Sequence, residues 1–320
     1  LVRRTVVCSI KDEGPFIVEW VSWYRMLGFS DILVLTNDCT DHSVDLLKAL
    51  ARAGWLTHVD VTVPPGSMPT PVKLAFAKTH PLVTGAAWTF LCDIDEFLVI
   101  NRGSLDTLLP TDSDFLGMSI GWRVFGTGGQ KRWSDGLVHR QFHCSAGPNH
   151  STARWVKSAF RHAEWFKRLG VHAPAKVLKS GPVRWVSASG RDLRGFDPAG
   201  GVFRMTERDE VDQSVAQINH YMMRSEESFA LKQGSVSPVT GKDRYGARFV
   251  LNFNRNEVED RSALIHADAF DVIHAQAMAL PDVARLHHLC CADYVTRLAT
   301  RAGARAEDDP RWQHHISLAK

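Results

Sequence analysis

Two carboxylates spaced two residues apart, Asp93 and Asp95, come directly after the apolar stretch Ala87–Cys92 and directly before Glu96-Phe97. At an extended strand tip, side chains two apart project to the same side. The pair then presents hard oxygen ligands of the kind that Mg²⁺ or Mn²⁺ takes, with water and phosphate oxygens in the other positions. An ion held there would neutralise the charge on a diphosphate leaving group. An isolated Asp-x-Asp more often marks a solvated turn, so the surroundings decide. Here Lys11-Asp12-Glu13 and Asn37-Asp38 follow two other strand-like runs, which places polar groups at three separate strand ends.

The elements that position these groups follow from hydrophobic period. Thr5–Ile10, Asp31–Leu35, Thr57–Val63 and Ala87–Cys92 read as strands, and the segments from Pro15 to Leu27, Val44 to Ala53 and Thr70 to His80 as helices. That alternation predicts an α/β fold with a Rossmann-like, mostly parallel sheet and helices on both faces. Ligands in such sheets sit at the carboxyl ends of the strands. Past Leu98 the rhythm changes. Ser119–Phe125 and Gly136–Phe142 read as strands around the glycine-rich 126–129 segment, and Gln217–Met223 as another. Ser225 reads as the N-cap of a helix reaching about Lys232, and Pro281–Ala302 as a further helix, with a polar tail after it. The expected division is a catalytic domain over 1–255 and a mostly helical C-terminal extension over 256–320. Within the domain, 1–100 is the nucleotide-binding half and 101–255 the acceptor and metal-completing half.

A net charge of +3 over 320 residues gives no reason to expect nucleic acid as a partner. No apolar run reaches the roughly 18 residues of a membrane span, which leaves peripheral membrane contact open. Six cysteines without Cys-x-x-Cys spacing read as reduced thiols. With no signal-peptide pattern in the opening residues, a cytoplasmic location is expected. His287-His288-x-Cys290-Cys291 is not expected to bind zinc, because adjacent ligands on a helix point apart.

Several motifs resemble family 2-like glycosyltransferases of the GT-A type, a subgroup that also resembles the family 92 enzymes. The opening Lys11-Asp12-Glu13-Gly14, Glu19-Trp20 and Tyr24-Arg25-x-Leu27-Gly28 is similar to theirs, as is Asn37-Asp38-Cys39-Thr40-Asp41. Trp88-x-Phe90-x-x-Asp93-Ile94-Asp95-Glu96-Phe97 resembles their metal motif. Val156-Lys157-Ser158, Val171-His172-x-Pro174 and Ile218-Asn219-His220-Tyr221 with Ser225 and Phe229 extend the match, which spans roughly Val6 to Gly234. The resemblance implies a nucleotide-sugar donor, UDP by preference, and a glycan or other hydroxyl acceptor. It implies nucleotide contacts from Glu13 and Asp38, and contact with ribose or metal from Asp93. Asp95 would ligate Mn²⁺ or Mg²⁺, and His220 would complete the metal site unless it is a satisfied core histidine. Lys157, with Arg154 and Arg161, would offer charge to the diphosphate or else form a solvated basic face. Trp122, Trp133 and Trp155 are candidate sugar-stacking surfaces. The resemblance also implies inversion, which needs a general base. Asp112, Asp114, Asp135, Glu164, Asp192 and Asp197 are the available acids between Pro110 and Gly200, and Asp135, beside Trp133 and the glycine-rich segment, is the first choice.

Three other readings compete. A haloacid-dehalogenase-type phosphatase also carries Asp-x-Asp after a strand, but near the start of its fold and usually followed by a small hydroxyl residue. A catalytically silent nucleotide-sugar or carbohydrate-binding protein would keep the fold while losing the base or a ligand. A nucleotidyltransferase would carry a glycine-rich basic loop after the first strand, of which Lys11-Asp-Glu-Gly14 is a poor version.

Overall fold

Apolar runs separated by amphipathic helices build the first half of the chain in the computed structural model, which describes residues 2–239, 241–242 and 244–320. Leu1, the first residue of the opening stretch, lies outside the described residues. Strands β1 (Arg4–Ser9), β2 (Asp31–Thr36), β3 (Thr57–Asp60) and β4 (Trp88–Leu91) alternate with helices α1 (Ile17–Met26), α2 (Ser43–Arg52) and α3 (Pro69–Thr79). Five further strands join them: β5 (Glu96–Ile100), β6 (Gly117–Val124), β7 (Val156–Phe160), β8 (Trp185–Ser187) and β9 (Ala216–His220). The sheet order is β3-β2-β1-β4-β7-β6-β9-β5, with β8 alongside the first half of β6 and β9 alongside the second. Only β5 and β7 run against the rest. The expected mostly parallel α/β sheet is therefore present.

Strand residues alternate between two apolar clusters, as a period of two requires. Val6, Cys8, Ile32 and Val34 face Trp20, Leu46 and Leu50, whereas Val7, Leu33 and Leu35 face Leu74 and Ala77. Later helices include α4 (Glu226–Lys232), α5 (Ala267–Met278), α6 (Val283–Ala302) and α7 (Pro310–Leu318), with a further short helix at Ala247–Phe253. The Ser225 hydroxyl accepts the Ser228 N–H at 3.2 Å, the expected cap of α4. The C-terminal helices do not stand apart from the sheet. Phe270, Cys290 and Val295 belong to the same cluster as Trp20 and Leu46, and a Cβ at Gly14 would run into the Cys290 side chain.

Two sequence expectations change. The expected polar tail contains α7, started by Asp309, whose carboxylate accepts the Arg311 N–H at 2.9 Å, and docked through buried His315. Within Gly136–Phe142, read as a strand, Val138–Gln141 forms one helical turn. The buried Glu19 carboxylate accepts the N–H groups of Val138 (2.8 Å) and His139 (3.1 Å), and it contacts His139 Nδ1 at 2.6 Å. An acceptor reaching in from α1 thus replaces the ladder a strand would need. Glu19→Ala strands these donors in the interior and should cost about 2–4 kcal/mol. Urea unfolding measures it, and a loss under about 1 kcal/mol would show that water replaces the carboxylate freely.

Candidate active site

The site is built at the carboxyl edge of the sheet. β1, β2 and β4 run toward it and deliver Glu13, Asp38 and Asp93 in the turns just past their ends. β9 runs the same way and ends on His220, while antiparallel β5 starts there with Glu96 paired in register to His220. Antiparallel β7 likewise begins near this edge, so Lys157 comes toward the acids. Arg161, just past the far end of β7, lies four residues along the chain, or about 13 Å in extended backbone. Its guanidinium bonds the Ser113 carbonyl at 2.7 Å. The expected pairing of Arg161 with Lys157 at one phosphate site is therefore corrected by strand direction.

Asp93 and Asp95 flank a tight turn rather than an extended tip, and they face different cations. Lys157 Nζ, 1% exposed, bonds Asp93 Oδ2 at 2.7 Å and Glu96 Oε2 at 2.9 Å. Lys232 Nζ on α4 bonds Asp95 Oδ2 at 3.1 Å, and His220 Nε2 stands 3.4 Å from Asp95 Oδ1. Burial raises the Asp95 pKa, but Lys232 and His220 outweigh it and hold the carboxyl well below its usual range. Burial opposes the charge of Lys157, yet Asp93 and Glu96 raise its pKa overall. Glu96 Oε1 and His220 Nδ1, 3.6 Å apart, are buried atoms without a hydrogen-bond partner among the described residues. Asp93, Asp95 and His220 do not together bring three ligand atoms within 4.8 Å of one another among the described residues.

Glu13 is held from far along the chain. Arg224, 3% exposed, bonds Glu13 Oε2 through Nη1 at 3.1 Å and lies 3.4 Å over the Phe16 ring. Its Nε and Nη2 are buried without an acceptor among the described residues. Asp38 is exposed, in the left-handed backbone region (φ 47°), and accepts from the Asn37 amide at 3.0 Å. Lys73, 3% exposed, bonds the Ile10 carbonyl past β1, and burial pushes its pKa down to about 8. Arg224, Lys232 and Lys73 were not found from sequence. Lys73 was findable, because it sits on the buried face formed by Thr70, Lys73, Leu74 and Ala77, spaced as one side of a helix.

The other expected residues separate into distinct places. Trp122 stacks on Trp155 at 5.6 Å and meets His220 edge-on at 4.3 Å, so it positions that histidine. Trp133 packs against Tyr294 in the core. Arg154 lines a cavity of about 510 Å³ with Arg123 and Arg208. Asp135 lies against His287 of α6. Burial raises its pKa, but the His287 hydrogen bond and the nearby histidines outweigh this and leave it at about 2. Such acidity works against proton abstraction near neutral pH.

His172 sits beside Trp122 and Trp155 and donates from Nδ1 to the Val156 carbonyl at 2.9 Å. Burial, reinforced by Lys157, pushes its pKa down to about 3. The unfolded imidazole takes its proton near 6.5, so the unfolded state binds protons first as pH falls. The stability tied to neutral His172 is complete above about pH 6.5 and is lost toward about pH 3. Between pH 7 and pH 5 the loss should be about 1–2 kcal/mol. Urea midpoints at both pH values should converge in His172→Gln, and an unchanged pH slope in that variant would contradict the assignment.

No family model matches the chain, and no curated protein does. Among solved structures it aligns with S. aureus TarS 1-349 over 99% of its own length and 88% of that chain, at 10% identity and TM-score 0.33. It aligns with the galactosyltransferase LgtC, solved with donor and acceptor sugar analogues, over 50% of this chain and 59% of that one, at 16% identity and TM-score 0.29. With glucosyl-3-phosphoglycerate synthase from Mycobacterium tuberculosis, solved with phosphoglyceric acid, the values are 62%, 73%, 15% and 0.29. The chain's own topology defines the class: an α/β protein with a mostly parallel sheet and charged groups gathered at its carboxyl edge.

Proposed function

We propose that the protein is a glycosyltransferase of GT-A organisation that takes a nucleotide-sugar donor and passes the sugar to a hydroxyl acceptor. The observation that carries this reading is Arg224, a buried guanidinium with two nitrogens lacking acceptors, next to Glu13 and within the electrostatic reach of Asp95. Buried donors left without acceptors are costly, and the oxygens of a diphosphate supply what Arg224 lacks. Lys157 and Lys232 lie on the carboxylates beside it, where they can be shared with phosphate. Glu13 and Asp38 at neighbouring strand ends suit the base and ribose, with UDP preferred through the family resemblance.

A divalent ion, Mn²⁺ or Mg²⁺, fits part of this set. Asp95 Oδ1 and His220 Nε2 stand 3.4 Å apart, as neighbouring ligands of one ion do, and the orphaned His220 Nδ1 and Glu96 Oε1 lie just behind. Asp93 is engaged by Lys157, so Asp95 and His220 are the protein ligands we assign. Bound there, the ion supplies Lewis-acid neutralisation of a departing diphosphate. The protein's own part is to hold the donor through Arg224 and the lysines and to fix His220 through Trp122. Inversion at the sugar carbon is the stereochemistry we expect.

A donor screen tests the reading. Hydrolysis of UDP-, GDP- and dTDP-sugars is measured after chelation and again with added Mn²⁺. Turnover of a UDP-sugar that depends on Mn²⁺ is the expected result. Turnover without metal would remove the ion from the reading and leave the cationic groups to stabilise the diphosphate. Hydrolysis of simple phosphomonoesters with no donor turnover would favour a phosphatase instead.

A further inference from the structure

Away from the Asp95 edge, five side chains that can bind metals meet where the loop after β6 packs against α6 and α7. His287 Nε2 lies 3.2 Å and 3.3 Å from the two oxygens of Asp135. Cys291 Sγ lies 3.6 Å from the same Nε2. His315 Nδ1 stands 4.0 Å from Asp135 Oδ2, and His288 Nδ1 stands 3.2 Å from His315 Nδ1. Asp135, His287 and Cys291 bring their ligand atoms within 4.8 Å of one another, and so do Asp135, His288 and His315.

We propose that this cluster is a structural zinc site that fastens the C-terminal helices to the loop after β6, with Asp135, His287 and Cys291 as its assembled ligands and His315, 4.0 Å from Asp135, turning in as the fourth. His287 and Cys291 are four residues apart on α6 and so share one face. Adjacent residues on the helix do diverge: Cys290 faces Gly14 on the other side and takes no part. The ligand pair from the helix is thus 287 and 291, completed by groups from outside it.

A hydrogen-bonded relay through His287 would place the thiol and the carboxylate on different ring nitrogens. Here both converge on Nε2, and Nδ1 has no partner among the described residues that would fix another tautomer. Sulfur, nitrogen and oxygen atoms that all lie within 4.8 Å of one another can surround one ion. Tetrahedral zinc with its usual bond lengths holds neighbouring ligand atoms roughly 3.3–3.6 Å apart, which matches the separations of 3.2 Å and 3.6 Å.

The donor set selects the metal. Thiolate and imidazole suit zinc, whereas Mg²⁺ takes oxygen ligands. His315 is buried against the cluster, and neutral imidazole is the form that ligates. Cys291 gives up its thiol proton to solvent when the metal binds. Asp135 is 27% exposed, which leaves an entry path.

The test uses the whole chain, stripped with a chelator and then titrated with Zn²⁺ or Co²⁺. One Co²⁺ per chain should give a thiolate-to-cobalt charge-transfer band in the near ultraviolet, displaced by Zn²⁺. The band should vanish in Cys291→Ser and persist in Asp95→Asn. Zinc affinity should fall in His287→Gln by more than the roughly 100-fold that outer-shell changes reach. If Cys291→Ser does not fold by circular dichroism, Cys291→Ala gives the same readout, and Asp135→Asn should weaken cobalt affinity while keeping the band at saturation. Absence of the band in the wild type, or its survival without Cys291, would overturn the proposal and leave Asp135 and His287 as a simple ion pair.

Discussion

Asp95→Ala should lower kcat/KM for donor turnover by about 10²–10³-fold, the scale of losing several kcal/mol of charge stabilisation at a reacting phosphate. Asp95 is the acid on which His220 and Lys232 both close, and it is only 13% exposed. Its removal takes away a metal ligand and frees Lys232 from its ion pair. Asp95→Asn keeps the volume and loses the charge, so it separates packing from electrostatics. If Asp95 and His220 hold the ion together, excess Mn²⁺ should partly rescue Asp95→Asn and should not rescue an Asp95→Asn/His220→Ala double variant. Activity within about threefold of wild type in Asp95→Ala, a change under roughly 1 kcal/mol, would sink the reading. The variant will also lose some stability at neutral pH. The folded carboxyl titrates below its ordinary value, so its contribution is complete above about pH 4 and disappears only as pH falls further. Folding is therefore checked by circular dichroism beside the kinetics.

Lys157→Met should produce the largest loss of stability, about 3–5 kcal/mol, the usual cost of removing one partner from a buried ion pair. Lys157 and Glu96 are 1% and 0% exposed, so water cannot take the place of the ammonium. With Glu96 already pushed toward the protonated form by burial, the variant should relieve part of the penalty by protonating it. A second change, Glu96→Gln, should then recover part of the loss, and a double-mutant cycle gives the coupling directly. Urea unfolding reads all four species. A loss below about 1 kcal/mol, in the range of a solvent-exposed pair, would show that the pair is hydrated. The same variant releases Asp93, so a fall in donor affinity beyond the stability effect would assign Lys157 a part in binding as well.

The outline of this edge was legible because it depends on local patterns. Short, mostly continuous apolar runs gave β1, β2 and β4, and right-handed parallel crossovers put the residues after them on one edge. Glu13, Asp38, Asp93 and Asp95 follow from that reasoning, as does the α4 cap at Ser225. Lys73 was equally legible, as a charge inside an apolar helical stripe. The α7 start was also written locally, in Asp309-Pro310 before Trp312 and His315. The Val138–Gln141 turn was not, because Glu19, which caps it, lies 119 residues earlier in the chain.

By itself, the sequence determined an α/β chain with acids at several strand ends, because side-chain period and turn chemistry are set by near neighbours. Tertiary structure alone decided which charges oppose those acids. Lys232 reaches Asp95 across 137 residues and Arg224 reaches Glu13 across 211. The antiparallel direction of β7 brings Lys157 in and carries Arg161 away. Docking of α6 and α7 against the loop after β6 gathers Asp135, His287, Cys291 and His315, no three of which are close in sequence. Such convergence is fixed by crossover and strand direction, which no local spacing encodes.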